Sequence, residues 1–302
     1  MMKKLAIPQE LDEKTLLEAA AALLPELKAS QLKKMIKTAD IKINGRRLHP
    51  KDAVRCGDIA EIYLSNAESD QPIEIVYEDR NILVVNKQPG LLVADMTGTE
   101  NDLYSLVAEH MRAQHEYIEQ TGNVPYPCYA LERYTGGLTL FTKNGEMCAA
   151  MRQVLHERRL SVFYNALLAG VPDQPSRQLQ SFIYENPKAN RVQVKMQMER
   201  GFRPAATRYR VLTDNGEVSC VEIEPLSMRR HQIRVHMAQM SCPILGDSEY
   251  GNGKMNKKYL VKYQALWATK LVFHTGPNNI LSYLDGKEIT TDHVDFPYVL
   301  FE

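Results

Sequence analysis

Between Tyr129 and Lys143 the chain reads Y-A-L-E-R-Y-T-G-G-L-T-L-F-T-K, and no other stretch constrains the fold as much. Glu132 stands just before a turn at Thr135-Gly136-Gly137, after which Leu138, Leu140 and Phe141 continue as a strand. A carboxylate held between an apolar residue and a Gly-Gly turn is exposed enough to reach a ligand and anchored enough to be aimed. Taken alone, such a carboxylate is more often solvated or capping a helix than catalytic, so the rest of the chain must decide.

The chain has 302 residues, enough for one large core and a small domain. Lysine and arginine total 37 against 37 aspartate and glutamate, so any nucleic-acid footprint must be local. Cys56, Cys128, Cys148, Cys220 and Cys242 are scattered, odd in number and without a C-x-x-C pair. That usage favours free thiols in a reducing cytoplasm over a disulfide framework or a zinc site. The start, M-M-K-K-L-A-I-P, lacks an apolar run of signal-peptide length, and no apolar stretch is long enough to span a membrane. A soluble, cytoplasmic, monomeric protein is expected.

Leu11 to Leu64 read as a compact unit. Asp12 or Thr15 caps a helix with Leu16, Ala20 and Leu23 on one face, and Pro25 stops it. A second helix starts at Ser30, with Leu32, Met35 and Ile36 facing one way and Lys33, Lys34 and Lys37 the other. Ile41-Lys42-Ile43 alternates like a strand, Asn44-Gly45 predicts a hairpin turn, and Gly57-Asp58 opens a last strand through Ile62 and Leu64. Between Lys28 and Arg55 lie nine Lys/Arg against two Asp. This local excess is the mark of a phosphate-binding surface, and Lys33, Lys34, Lys37, Lys42, Arg46 and Arg47 are its candidate RNA contacts. Residues 65–72 are small and polar and end in proline, as a linker does. The predicted domains are therefore 1–64 and 73–302.

In the second domain Ile73–Val76 and Ile82–Asn86 read as strands, Met147–Leu155 as a helix facing the core and Arg234–Met240 as a helix. Tyr164 alternates with Ala166 and Leu168, as a core-facing ring would. Residues 229–236 crowd Arg229, Arg230, His231, Arg234 and His236 together, with histidine spacing unsuited to one helix face and no accompanying carboxylate or cysteine at metal spacing. A second basic stretch runs from Lys188 through Arg191, Lys195, Arg200, Arg203 and Arg208 to Arg210, and is expected to face RNA.

These segments together resemble the RluA-type pseudouridine synthases. The run at Glu132 is similar to H-R-L-D-x-x-T-S/G-G-L, with Glu132 at the catalytic aspartate and Tyr129-Ala130 at the His-Arg. V-Y-E-D-R-N-I-L-V-V-N-K-Q-P-G-L resembles the opening of that catalytic domain. Val162–Gly170 resembles K-x-Y-x-A-x-x-x-G, which places Tyr164 over the target base. Ser227–His236 resembles T-G-R-x-H-Q-I-R-V-H, which pairs Arg234 with the carboxylate and leaves Arg229 and Arg230 facing RNA. Cys242–Gly251 and Leu266–His274 resemble two further elements of the family in order. The N-terminal unit resembles the S4 (αL) RNA-binding domain, a basic second helix followed by V-x-V-N-G and G-D.

The resemblance implies an α+β protein, an S4-like domain followed by a catalytic domain with a mixed, largely antiparallel sheet. It implies isomerisation of uridine in ribosomal or transfer RNA, with no cofactor or metal. A carboxylate beside the ribose attacks C1′ or takes a proton from C2′. An arginine beside it favours its anion, and a flat ring receives a base that has left the stack. Four departures stand out: Glu132 for aspartate, Ala130 for arginine, Ser227-Met228 for Thr-Gly and Trp267 for histidine. The alternative is a non-catalytic RNA clamp on the same scaffold. A glycosidase-like hydrolase would need a carboxylate opposed to Glu132, for which the sequence offers no candidate spacing.

Overall fold

The computed structural model describes residues 2–25, 29–37, 41–63, 73–95, 102–185 and 191–296, without the side chains of Met2, Lys3, Ala29, Ser30, Gln31, Lys34 and Tyr63. It divides into two units, Met1–Gln71 and Pro72–Glu302.

In the first unit, helices α1 (Leu16–Leu23) and α2 (Ala29–Lys37) accompany a sheet of β1 (Met2–Ala6), β2 (Ile41–Ile43) and β3 (Ile59–Tyr63). Thr15 caps α1 reciprocally with Glu18, each side chain meeting the other's backbone N–H. Leu32, Met35 and Ile36 of α2 are buried with Leu16, Ile41, Val54 and Ile62, as their spacing predicts. Lys33, Lys37, Arg46 and Arg47 are exposed and Lys42 is half-buried, while the side chain of Lys34 lies outside the described residues. Asn44 and Gly45 both take positive φ and close a turn from Ile43 to Arg46. That turn does not join a long hairpin: β2 pairs with the distant β3, which lies between β1 and β2. The N-terminal strand β1, invisible as a motif, completes the sheet.

The second unit is built on an eleven-stranded sheet. Its strands are β4 (Glu74–Glu78), β5 (Ile82–Lys87), β6 (Tyr126–Pro127), β7 (Gly136–Thr142), β8 (Leu160–Ala169), β9 (Ser176–Glu185), β10 (Val192–Lys195), β11 (Arg203–Asp214), β12 (Val218–Pro225), β13 (Leu266–Phe273) and β14 (Glu288–Thr290). The main order is β10-β9-β11-β12-β8-β13-β7-β5-β4. Every pairing is antiparallel except β13 with β7, where Trp267 and Ala268 lie beside Gly136 and Gly137. The Gly-Gly turn has its physical reason there. A methyl on Gly136 would lie 2.3 Å from the Trp267 ring, and one on Gly137, whose φ is +110°, would lie 2.2 Å from the Ala268 carbonyl oxygen. Trp267 is fully buried, its indole N–H donating to Asn86 at 3.0 Å, so it serves the core and this seam.

Helices α3 (Leu103–Ala113), α4 (Gly145–His156), α5 (Gln232–Gln239) and α6 (Gly253–Lys258) complete the unit. Met147 and Met151 of α4 are core residues. Helix α3, not anticipated from the sequence, is capped by Asp102 and buries Leu103, Val107, Ala108 and Met111. No helix among the described residues is long and apolar enough to cross a membrane.

Helix α5 is pinned across the sheet by buried polar groups. His236 meets Ser181 of β9 at 2.7 Å and Thr207 of β11 at 2.8 Å, and Gln232 donates to the Ala206 carbonyl and to Thr207. Burial drops the His236 pKa to about 4, so the imidazole is neutral in the fold. Below an ordinary histidine pKa of 6.5 the unfolded chain binds a proton that the folded chain refuses. The expected result is a loss of about 3 kcal/mol of stability as pH falls from about 6.5 to 4. Urea unfolding across that window checks it, and His236→Asn should flatten the slope.

Candidate functional site

The seam between β7 and β13 brings the three distant segments together. Glu132 precedes the turn into β7, and its own carbonyl accepts from the Thr135 N–H at 3.0 Å. Tyr164 projects from β8 on the same face as Ala166 and Leu168. Arg234 lies in the first turn of α5. The Arg234 Nη1 donates to the Glu132 carboxylate at 2.6 Å. Glu132, Tyr164 and Arg234 line one cavity of about 370 Å³ with Ala130, Met228 and Arg229.

Arg234 is held on its other edge. Its Nε and Nη2 donate to the two oxygens of Asp247 at 2.7 and 2.8 Å, and Nη2 also reaches Glu249 at 3.2 Å. The Tyr250 ring covers the guanidinium at 4.9 Å. Burial works against the charge, but the Asp247 hydrogen bonds and the Glu132 carboxylate outweigh it and raise the Arg234 pKa. For Asp247 burial pulls upward, yet Arg234 and the N–H groups of Tyr250 and Glu249 hold its pKa low. Asp247 therefore aims Arg234 from behind, leaving Nη1 for Glu132.

Gln264, just before β13, donates to Glu132 at 3.3 Å and to Thr135 at 2.8 Å, fastening the carboxylate to its turn. His231 takes a left-handed backbone at the start of α5, with φ 56°. Its ring lies 3.9 Å from Glu132 and 3.6 Å from Glu249, and Nδ1 meets the Tyr250 hydroxyl at 2.9 Å. Burial lowers the His231 pKa, Glu132 opposes and Arg234 reinforces the drop. Tyr164 is only 5% exposed, and burial together with the Glu132 charge raises its pKa, so the phenol is neutral. Lys87, at the end of β5, is buried and donates to the carbonyls of Gln88, Leu91 and Arg133 at 3.2, 2.9 and 3.1 Å. It ties the Pro-Gly loop to the residue after Glu132. Burial, with Arg133 adding repulsion, pulls its pKa down to about 7.

Arg229 and Arg230 both line the cavity. Arg229 Nε is buried with no hydrogen-bond partner. Of the departures, Ser227 accepts from the Ala206 N–H at 3.0 Å and donates to Gln232, while Met228 is 55% exposed. Tyr129 donates to the Leu138 carbonyl at 2.7 Å, bracing β7.

Arg208 and Arg210 lie on the face of the sheet opposite Tyr164, tied to Glu224 at 2.8 Å and Glu222 at 3.1 Å. They border a separate concavity of about 640 Å³ with Phe163 and Lys270, remote from Glu132. Lys188 lies outside the described residues. A second carboxylate does stand near Glu132: Glu249 shares its arginine, but it does not line the cavity and so does not oppose Glu132 across a substrate. Gln264, Glu249 and the role of Asp247 were missed. The only advance signal was that Asp247 and Glu249 fall inside, and Gln264 just before, elements already read as motifs. Among the described residues, no three His, Cys, Asp or Glu side chains are grouped to hold a metal ion.

A family model described as RNA pseudouridylate synthase matches residues 81–239, more than half of the chain. The chain is 30% identical over 286 residues to ribosomal large subunit pseudouridine synthase D of Neisseria meningitidis, covering 89% of this chain and 74% of that one. It is 29% identical over 219 residues to the protein of the same name from Borreliella burgdorferi, covering 72% of this chain and 65% of that one. This chain thus spans just under two thirds of the length of the Borreliella relative. Among solved structures, human RNA pseudouridylate synthase domain containing 1 superposes with a TM-score of 0.59 at 24% identity, covering 77% of this chain and 87% of that one. That likeness concerns the fold.

Proposed function

This chain belongs to the RNA pseudouridylate synthase family, and we propose that it isomerises uridine to pseudouridine in structured RNA, ribosomal RNA before transfer RNA, with Glu132 as the reacting carboxylate. The observation that carries the reading is the Glu132–Arg234 pair at 2.6 Å, opening into a cavity lined by the ring of Tyr164. In that reaction the N1–C1′ bond breaks, uracil turns, C1′ joins C5, the C5 proton leaves and N1 takes one up. Glu132 supplies the negative charge at the ribose, Arg234 aims it, and Tyr164 receives the base with a neutral hydroxyl available for proton transfer. Arg229 and Arg230, which line the cavity, would contact the RNA.

The direct test is tritium release from ribosomal RNA transcripts carrying 5-tritiated uridine. Release by the wild type supports the synthase; silence on every cellular RNA, with tight binding retained, would support the clamp. Tyr164→Phe keeps the ring and removes only the hydroxyl. Release should fall about a hundredfold while RNA affinity and melting temperature hold. A fall in melting temperature alone would return Tyr164 to the core.

The first unit acts, in this reading, as an S4-like RNA-binding domain in a cytoplasmic protein. The exposed Lys33 and Lys37 on α2, with Lys42 on β2, would contact phosphates. For Lys33→Ala/Lys37→Ala/Lys42→Ala, the slope of log affinity against log salt should become shallower by about 0.7 to 0.9 per lost contact. An unchanged slope would remove this face from the RNA.

A further inference from the structure

Tyr134 and Tyr263 stack face to face beside the candidate site, with ring centroids 4.4 Å apart and an interplanar angle of 9°. Each belongs to a segment that holds Glu132. Tyr134 lies in the turn that Thr135 closes, and Tyr263 immediately precedes Gln264, whose amide bonds both Glu132 and Thr135. Both segments are braced from behind. Arg133 carbonyl accepts from Lys87 at 3.1 Å and from the Gly90 N–H at 2.8 Å. The backbone of Tyr263 presses on Gly246 so closely that a methyl there would lie 2.0 Å from the Tyr263 carbonyl oxygen. The Lys262 ammonium stands 5.2 Å from the Tyr263 ring centroid, adding positive charge to the column.

Tyr134 is 39% exposed although one of its faces is on Tyr263, so its other face is free to take a second ring. A large ring left in water, stacked on a half-buried one, suits a flat partner. Nucleobases stack on such rings whatever their sequence, and a nearby cation contributes to the phosphate. Resting on the RNA-modifying function proposed above, we infer that the Tyr134–Tyr263 stack is a platform for an unpaired base next to the target uridine. The platform would hold the neighbouring nucleotide while the target is out of the stack, which selects single-stranded or looped RNA over a continuous duplex.

The test uses the full chain, two variants and a defined probe, a single-stranded RNA dodecamer of uridines with one 2-aminopurine moved stepwise along it. Tyr134→Leu keeps an apolar contact with Tyr263 but removes the ring, and Tyr134→Phe keeps the ring. In the wild type, 2-aminopurine fluorescence should be quenched strongly at one or two positions. Tyr134→Leu should abolish that position-dependent quench and weaken binding about tenfold, and Tyr134→Phe should restore both. On tritiated ribosomal RNA transcripts the loss in Tyr134→Leu should appear mainly in KM. Equal quenching and equal affinity in wild type and Tyr134→Leu would overturn the platform, including when the variant melts at a lower temperature. The two readings fail separately. A wild type that releases tritium with no response to Tyr134→Leu keeps the synthase and loses the platform. A wild type that quenches through Tyr134 but releases nothing keeps the platform and loses the synthase.

Discussion

Arg234→Met is expected to cost about 3 to 5 kcal/mol of stability and to abolish turnover. Methionine fills much of the same volume, so the effect isolates the guanidinium. That group answers Glu132 through Nη1 and Asp247 through Nε and Nη2, with Glu249 sharing Nη2. The Asp247 side chain is 0% exposed, and without Arg234 it keeps only the N–H groups of Glu249 and Tyr250. An ion buried without its counter-charge accounts for most of the loss. The pH dependence gives the signature. The Asp247 pKa is held below its ordinary 3.8, so the pair stabilises the fold above that value and its contribution fades as pH falls through the depressed one. The gap between variant and wild type should therefore be full at pH 7 and shrink in acid. Arg234→Lys restores a charge but not the fork, and should recover part of the stability with little of the activity. Urea unfolding at pH 7 and in steps below pH 3.8 measures both. A melting temperature within a degree or two of wild type would mean that Asp247 is solvated and the cluster is not a unit.

The site was legible in the sequence where local chemistry and spacing coincide. Glu132 was picked out by its Gly-Gly turn, and the turn proves to be the place where Trp267 and Ala268 approach β7 too closely for any side chain. The burial of Leu32, Met35 and Ile36 followed from helical period alone. What escaped depends on contacts across long sequence separations. Gln264 reaches Glu132 only because β13 pairs in parallel with β7, and no local pattern announces that register. Strand β1 is recognisable only through its partner β3. Arg208 and Arg210 alternate with Tyr209 as a strand requires, but alternation defines two faces without saying which one meets the site. The Trp267 departure was legible as a difference and not as a role, because its partner Asn86 lies far back in the chain.

Glu132→Asp is expected to lower tritium release about a hundredfold, although aspartate is the residue at this position in the sequence motif the chain resembles. The longer acid has been accommodated: its carboxylate sits 2.6 Å from Arg234 and 3.3 Å from Gln264. Both partners are fixed from elsewhere, Arg234 by Asp247 and Gln264 by Thr135. Shortening the side chain by one methylene withdraws the carboxylate by roughly 1.5 Å. The guanidinium cannot follow without leaving Asp247, and a misplacement of that size costs about 3 kcal/mol of barrier. Glu132→Ala should abolish release altogether while RNA binding holds, since the basic groups stay in place. Glu132→Gln keeps the length and the Gln264 contact but not the charge, and should be as inactive as alanine with less disturbance of the fold. Single-turnover release on one ribosomal RNA transcript compares all three. A Glu132→Asp protein faster than wild type would show that the cavity still fits the shorter acid. Activity appearing only in Glu132→Asp, from a silent wild type, would make the natural protein an RNA clamp whose lost chemistry is one methylene away.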